Sequence, residues 1–117
     1  MSVDTALGAV VALERLYASG FRDSVTDAVL RKTLASQISR EQTLLRQLER
    51  DLSEFENQYG MSSEVFFDLW EAGELDDTAD LMEWNGLYRM TERSRERLRL
   101  MTVERTANKP NSQERRT

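Results

Sequence analysis

A chain of 117 residues with a formal net charge of −5 is short enough to form one domain. It contains neither cysteine nor histidine, which excludes disulfides, thiolate metal sites and the most common general base. The sequence also lacks a leader pattern and any run of eighteen apolar residues, so we expect a cytoplasmic protein without a membrane span. Its acidic balance argues against nucleic acid as the partner.

Helical periodicity dominates the first half of the chain. Apolar side chains recur at spacings of three and four over residues 3–18, which predicts a first helix. A longer helix is predicted over residues 24–59, with Asp23 and Ser24 as candidate caps and Gly60 after it as a stop. A heptad frame fits its later part, broken by Arg31 and Glu41, and predicts a core or dimer contact. With a tryptophan from the last helix, the predicted seam comprises Leu45, Leu48, Leu52, Phe55, Tyr59 and Trp84.

Two further helices are predicted in the second half. Ser62 is a candidate cap for a short helix over residues 62–72, and a fourth helix covers residues 78–104. Together the four helices predict an all-α fold: an elongated antiparallel hairpin of two long helices joined by a short one, plus the N-terminal helix. We expect one helical domain over residues 1–105 and a disordered polar tail over residues 106–117.

Charge divides the sequence more sharply than hydrophobicity does. Residues 51–88 contain eleven carboxylates and no lysine or arginine, together with seven of the nine aromatic residues. A surface of this kind suits a partner that is basic and partly apolar. The candidate partner-binding residues are Trp70, Glu71, Glu74, Asp76, Asp77 and Asp80.

Several residue groups have two interpretations. Glu64, Asp68 and Glu71 share a helical face that could hold Mg²⁺ or Ca²⁺, but a solvated acidic face is favoured, and we predict no metal site and no cofactor. The tryptophans are candidate partner anchors or core residues. The arginines over residues 89–99 could bind RNA, but ion pairs with glutamates at helical spacing and on the second helix are favoured.

Two sequence motifs suggest a family. Residues 55–66 follow the pattern FE-x-x-YGMSSE-x-F, and residues 73–88 follow GEL-x-D-x-x-D-x-x-EW-x-x-LY. The combination resembles a group of small prokaryotic helical proteins that are often encoded beside a toxin-like gene. The resemblance implies an antitoxin or an accessory partner of such a protein.

These observations lead to one main hypothesis and two alternatives. The main hypothesis is a non-enzymatic protein-binding module, antitoxin-like, which docks a basic partner through residues 51–88 and also forms a homodimer. The first alternative is a structural coiled-coil homodimer without a toxin partner. The second is a metal enzyme that uses carboxylates alone, for which the sequence shows no organised site.

Overall fold

The computed structural model describes residues 3–107, with side chains described as far as Thr102. It contains four helices and no strand in that range: α1 (Ala6–Ala18), α2 (Ser24–Tyr59), α3 (Ser63–Glu71) and α4 (Ala79–Ala107). The all-α prediction with a helical hairpin is confirmed. The predicted tail lies outside the described residues from position 108 onward, while positions 106 and 107 belong to α4.

The helix ends follow from local capping. Helix α1 begins three residues later than predicted because Thr5 is extended and its Oγ1 accepts a hydrogen bond from the Gly8 N–H at 2.9 Å. At the start of α3, the Ser62 hydroxyl accepts from the Val65 N–H at 3.1 Å. Helix α3 ends in a Schellman turn, in which Gly73 takes a positive φ of 72° and the Glu74 N–H donates to the Leu69 carbonyl.

The chain divides into two compact units between Ala35 and Ser36, and α2 contributes to both. The N-terminal unit contains α1 and the first part of α2. Its contacts surround Tyr17, whose hydroxyl donates to the Asp27 carboxylate at 2.5 Å. The Arg22 guanidinium lies 5.3 Å from the centre of the same ring. The single domain expected over residues 1–105 stays a prediction.

The C-terminal unit is the hairpin, in which the later part of α2 runs antiparallel to α4. Arg97 binds Glu41 at one end, and Trp84 stacks on Phe55 toward the other. The buried hydrophobic side chains of the described residues all lie in this unit: Leu48, Leu52, Phe66 and Trp84. The predicted seam therefore contributes to a core within one chain, with its other members half-buried or, for Tyr59, 38% exposed.

Glu41, the glutamate that interrupts the apolar seam of α2, has a specific partner on α4. Both carboxylate oxygens of Glu41 accept from Arg97, at 2.8 Å from Nε and 2.9 Å from the terminal nitrogen. This forked geometry is the strong form of an arginine–carboxylate pair. It lowers the pKa of the Glu41 carboxyl. A glutamate at a seam position is thus compatible with helix pairing because α4 supplies its counter-charge.

Candidate protein-binding surface

An aromatic cluster holds the closed end of the hairpin together. Trp84 is fully buried, and Phe66 lies parallel to it with ring centroids 4.0 Å apart. Phe55 and Tyr59 of α2 stack with Trp84 at 5.5 Å each. The indole N–H donates to the buried Ser63 hydroxyl at 2.9 Å. Trp84 is therefore a core residue and is not available as a partner anchor.

Most residues of the two sequence motifs have structural roles in this cluster. The Glu56 carboxylate accepts from the Ser63 backbone N–H at 2.9 Å, which joins the end of α2 to the start of α3. The Tyr59 hydroxyl donates to Asp80 at 3.1 Å, which joins α2 to α4. Gly60 provides the positive φ of 68° that turns the chain after α2. The motifs thus specify how three helices meet at one end of the hairpin.

The arginines of α4 are largely neutralised by glutamates. Arg95 contacts both Glu49 of α2 and Glu92 of its own helix, at 3.2 and 2.7 Å. Arg99 pairs with Glu96 at 2.6 Å. With the Arg97 and Arg89 pairs, four of the five arginines from position 89 to 99 have a carboxylate partner. The ion-pairing interpretation accounts for these four side chains and leaves Arg93 as the member of this set without an ion pair among the described residues.

The carboxylates of residues 51–88 show the opposite situation. Within the described part of the chain, only Glu71 of the eleven forms an ion pair, with Arg89 at 2.9 Å. Asp51, Glu56 and Asp80 accept hydrogen bonds from uncharged groups. Ten negative charges thus lack a cationic partner among the described residues. Because residues 51–88 contain no lysine or arginine of their own, this surface keeps a strong negative potential.

Three of these carboxylates surround a cleft between α2 and α4. The acidic cleft has a volume of about 230 Å³ and is lined by Asp51, Glu54, Phe55, Gln58, Glu83 and Leu87. Asp51 and Glu54 lie one turn apart on α2, and the antiparallel partner helix places Glu83 opposite them. Apolar lining between carboxylates suits a side chain with an apolar stem and a cationic end, such as arginine or lysine. Sequence analysis missed this cleft because Glu83 is about thirty positions away along the chain.

The residues selected from the sequence lie nearby but differ in their availability. Trp70 is half-buried on α3, with its ring 5.9 Å from that of Phe66. Glu71 and Asp80 are already bound to Arg89 and the Tyr59 hydroxyl, as described above. The remaining carboxylates are exposed and have no ion pair within the described chain: Glu74, Asp76 and Asp77. The structure thus leaves three of the five selected acids fully open to a partner.

Tyrosine titration reflects the local environment of this surface. Burial raises the pKa of Tyr88, and the negative charges of Glu92, Glu64 and Asp68 raise it further, against a smaller opposite effect of Arg95. Burial also raises the pKa of Tyr59, followed by its hydrogen bond to Asp80. Both shifts favour the neutral phenol, because a phenolate would face carboxylates in a partly desolvated site.

A second cleft lies on another side of α4. Its volume is about 360 Å³, and it is lined by Phe67, Tyr88, Arg89, Glu92 and Arg93. Phe67 and Tyr88 stack at 4.6 Å, and the Arg89 guanidinium lies 5.1 Å from the Phe67 ring centre. Its lining contains both charge signs, two arginines and Glu92, so it differs from the acidic cleft.

Metal and membrane sites were also considered for the described residues. No group of three or more carboxylate or other metal-binding side chains is arranged to hold an ion there. In the same part of the chain, no helix combines the length and the apolar character that crossing a bilayer requires. Comparison with family models, with curated proteins and with solved structures finds no significant match to this chain.

Proposed function

We propose that this chain is a non-enzymatic cytoplasmic module that binds a basic protein through the acidic surface of residues 51–88. Its partner is a toxin-like protein, for which the chain serves as antitoxin or accessory subunit. The proposal rests on a difference in charge pairing between the arginines of α4 and the carboxylates of residues 51–88. Four arginines of α4 are paired, whereas ten carboxylates at the other end of the hairpin lack a cation among the described residues.

The physical argument is one of complementarity. A protein that cleaves or binds RNA carries positive charge because its substrate is polyanionic. An acidic surface with apolar lining can occupy that positive region, and thereby exclude the RNA, without any chemistry of its own. The rigid aromatic cluster beneath the acidic cleft supports this role, since a preformed surface loses little conformational entropy on binding. The resemblance of the two motifs to proteins encoded beside toxin-like genes supports the same partner class.

The experiment begins by co-expressing this chain with the protein encoded by the adjacent gene and measuring their binding rates at several salt concentrations. Glu83→Lys reverses a charge in the acidic cleft, and the double substitution Gln37→Lys with Gln42→Lys adds the same charge elsewhere on α2. Each variant raises the net charge by two units, and all three side chains are exposed, so the packing should stay intact. Glu83→Lys should slow association roughly threefold to tenfold at low salt and weaken its salt dependence, because steering is a long-range charge effect. The Gln37→Lys, Gln42→Lys control should leave both nearly unchanged.

A second variant separates steering from anchoring. Trp70→Ala removes a half-buried aromatic side chain beside the acidic surface and should speed dissociation about tenfold, equivalent to about 1.4 kcal/mol. Equal effects of the Glu83 variant and the Gln37, Gln42 control on association would show that only net charge matters. In that case the acidic surface is a solvated face and the proposal is withdrawn.

A further inference from the structure

Helix α1 is apolar around most of its circumference, yet it lies largely in water. Only Glu14 and Arg15 of its thirteen residues are charged, and a helix of this composition is normally buried on several sides. In the structure its only buried residue is Gly8. Leu7 and Val10 lie one turn apart and are 63% and 61% exposed. Helix α1 therefore has an apolar face that its own unit leaves uncovered.

The exposure extends to the whole N-terminal unit. Nine of the fifteen large hydrophobic side chains that are exposed in the described chain belong to its first 35 residues. They include Val25 and Val29, which lie one turn apart at the start of α2. The contacts that hold α1 to α2 cluster at the connection, around Tyr17 and Asp27. These two helices consequently pair without forming a buried core of their own.

The exposed area is of the size that association requires. A fully exposed valine or leucine side chain presents on the order of 100 Å² of apolar surface. The five that lie on α1, before it and at the start of α2 are Val3, Leu7, Val10, Val25 and Val29; at about 60% exposure each they present roughly 300 Å² per copy. Two copies would cover roughly 600 Å² of apolar side chain, and because apolar atoms make up about 60% of an interface, this corresponds to about 1,000 Å² in total, the lower end of specific interfaces.

Charge identifies the occupant of this face as a second copy of the chain. Residues 1–35 contain four acidic and four basic side chains, so this unit is neutral and does not repel an identical unit. A basic partner gains nothing from a neutral surface and would be drawn to residues 51–88. Residues 108–117 contain no large apolar side chain and therefore cannot supply a cover from within the chain.

We propose that Leu7 and Val10 of α1 and Val3 just before it, together with Val25 and Val29 of α2, form a homodimer interface. Two α1–α2 pairs related by a twofold axis form a four-helix bundle, in which each pair covers the apolar surface of the other. The interface is distinct from the acidic surface, so the dimer carries two copies of that surface and can bind two basic partners.

The test measures self-association by analytical ultracentrifugation over the micromolar range. The wild-type chain should be a dimer. The double substitution Leu7→Gln and Val10→Gln should raise the dimer Kd about 25-fold or more, since each central interface side chain contributes about fivefold. Val65→Gln with Met82→Gln is the matched control, because these side chains are 50% and 55% exposed in the other unit. The control should dimerise like the wild type.

A labelling experiment covers the case in which the Gln variant loses its local structure. The chain has no cysteine, so Val10→Cys provides a single site for a thiol-reactive pyrene. Excimer emission that disappears on dilution with unlabelled protein supports the interface, and the same label at Val65→Cys should give none. A wild-type monomer throughout the micromolar range would overturn the proposal. So would equal dimerisation of both Gln variants, or a monomer that binds neutral or anionic phospholipid vesicles through α1.

Discussion

The hydrogen bond between Trp84 and Ser63 gives the sharpest stability prediction. Both side chains are essentially inaccessible, and the indole N–H has the Ser63 hydroxyl as its acceptor at 2.9 Å. Ser63→Ala leaves that donor buried without an acceptor, which costs about 1–3 kcal/mol. The better helix propensity of alanine at the first residue of α3 offsets a few tenths of this. We expect a net loss of about 1–2 kcal/mol, a sizeable part of a typical stability of about 5–15 kcal/mol.

Urea unfolding followed by circular dichroism measures this loss as a lower midpoint at unchanged slope. Ser53→Ala makes the same replacement on the exposed side of α2 and should change stability by less than about 0.5 kcal/mol. A double-mutant cycle with Trp84→Phe isolates the pair, because phenylalanine has no N–H to leave unsatisfied. Ser63→Ala should then cost little in the Trp84→Phe background. An equal cost in both backgrounds would refute the reasoning.

Two further predictions concern ionisation. Arg97→Ala removes the forked pair with Glu41 and should lower the urea midpoint only modestly at neutral pH, since Arg97 is half exposed and water screens the pair. The pair lowers the Glu41 pKa below 4.5, so its stabilisation is present above that pH and is lost as the pH falls through the folded pKa. Urea unfolding from pH 7 to pH 3 should therefore show a smaller loss of stability in Arg97→Ala than in the wild type. An equal loss in both proteins would contradict this. The hydrogen bond to Asp27 raises the Tyr17 pKa from 10.0 to about 12, so its contribution is present below pH 10 and is lost as the pH rises through about 12. Asp27→Asn should return the Tyr17 pKa toward 10, measured by the absorbance of tyrosinate. A pKa that stays near 12 in this variant would show that Asp27 is not the cause.

The sequence by itself determined the helices and most of their ends. Helix α2 has the predicted bounds because Asp23 before it caps the Thr26 N–H and Gly60 after it adopts a positive φ. Helix α3 follows Ser62 and stops before Gly73 for equally local reasons. Caps, glycine stops and apolar spacing act over one or two turns, so they can be recognised without knowledge of the fold. The charge separation between residues 51–88 and their flanks was likewise visible in the composition.

Tertiary structure decided which of these side chains are available for binding. Trp84 and Ser63 are 21 positions apart, and Glu41 and Arg97 are 56 apart, so no local pattern indicates that they are bonded. Antiparallel packing of α2 and α4 also places Glu83 beside the acidic residues at the end of α2 and thereby forms the acidic cleft. Apolar spacing shows that a helix has a face to bury but not which surface covers it. In this protein the hairpin core buries the α2 seam and the Trp84 cluster, while the α1 face remains open for a second chain.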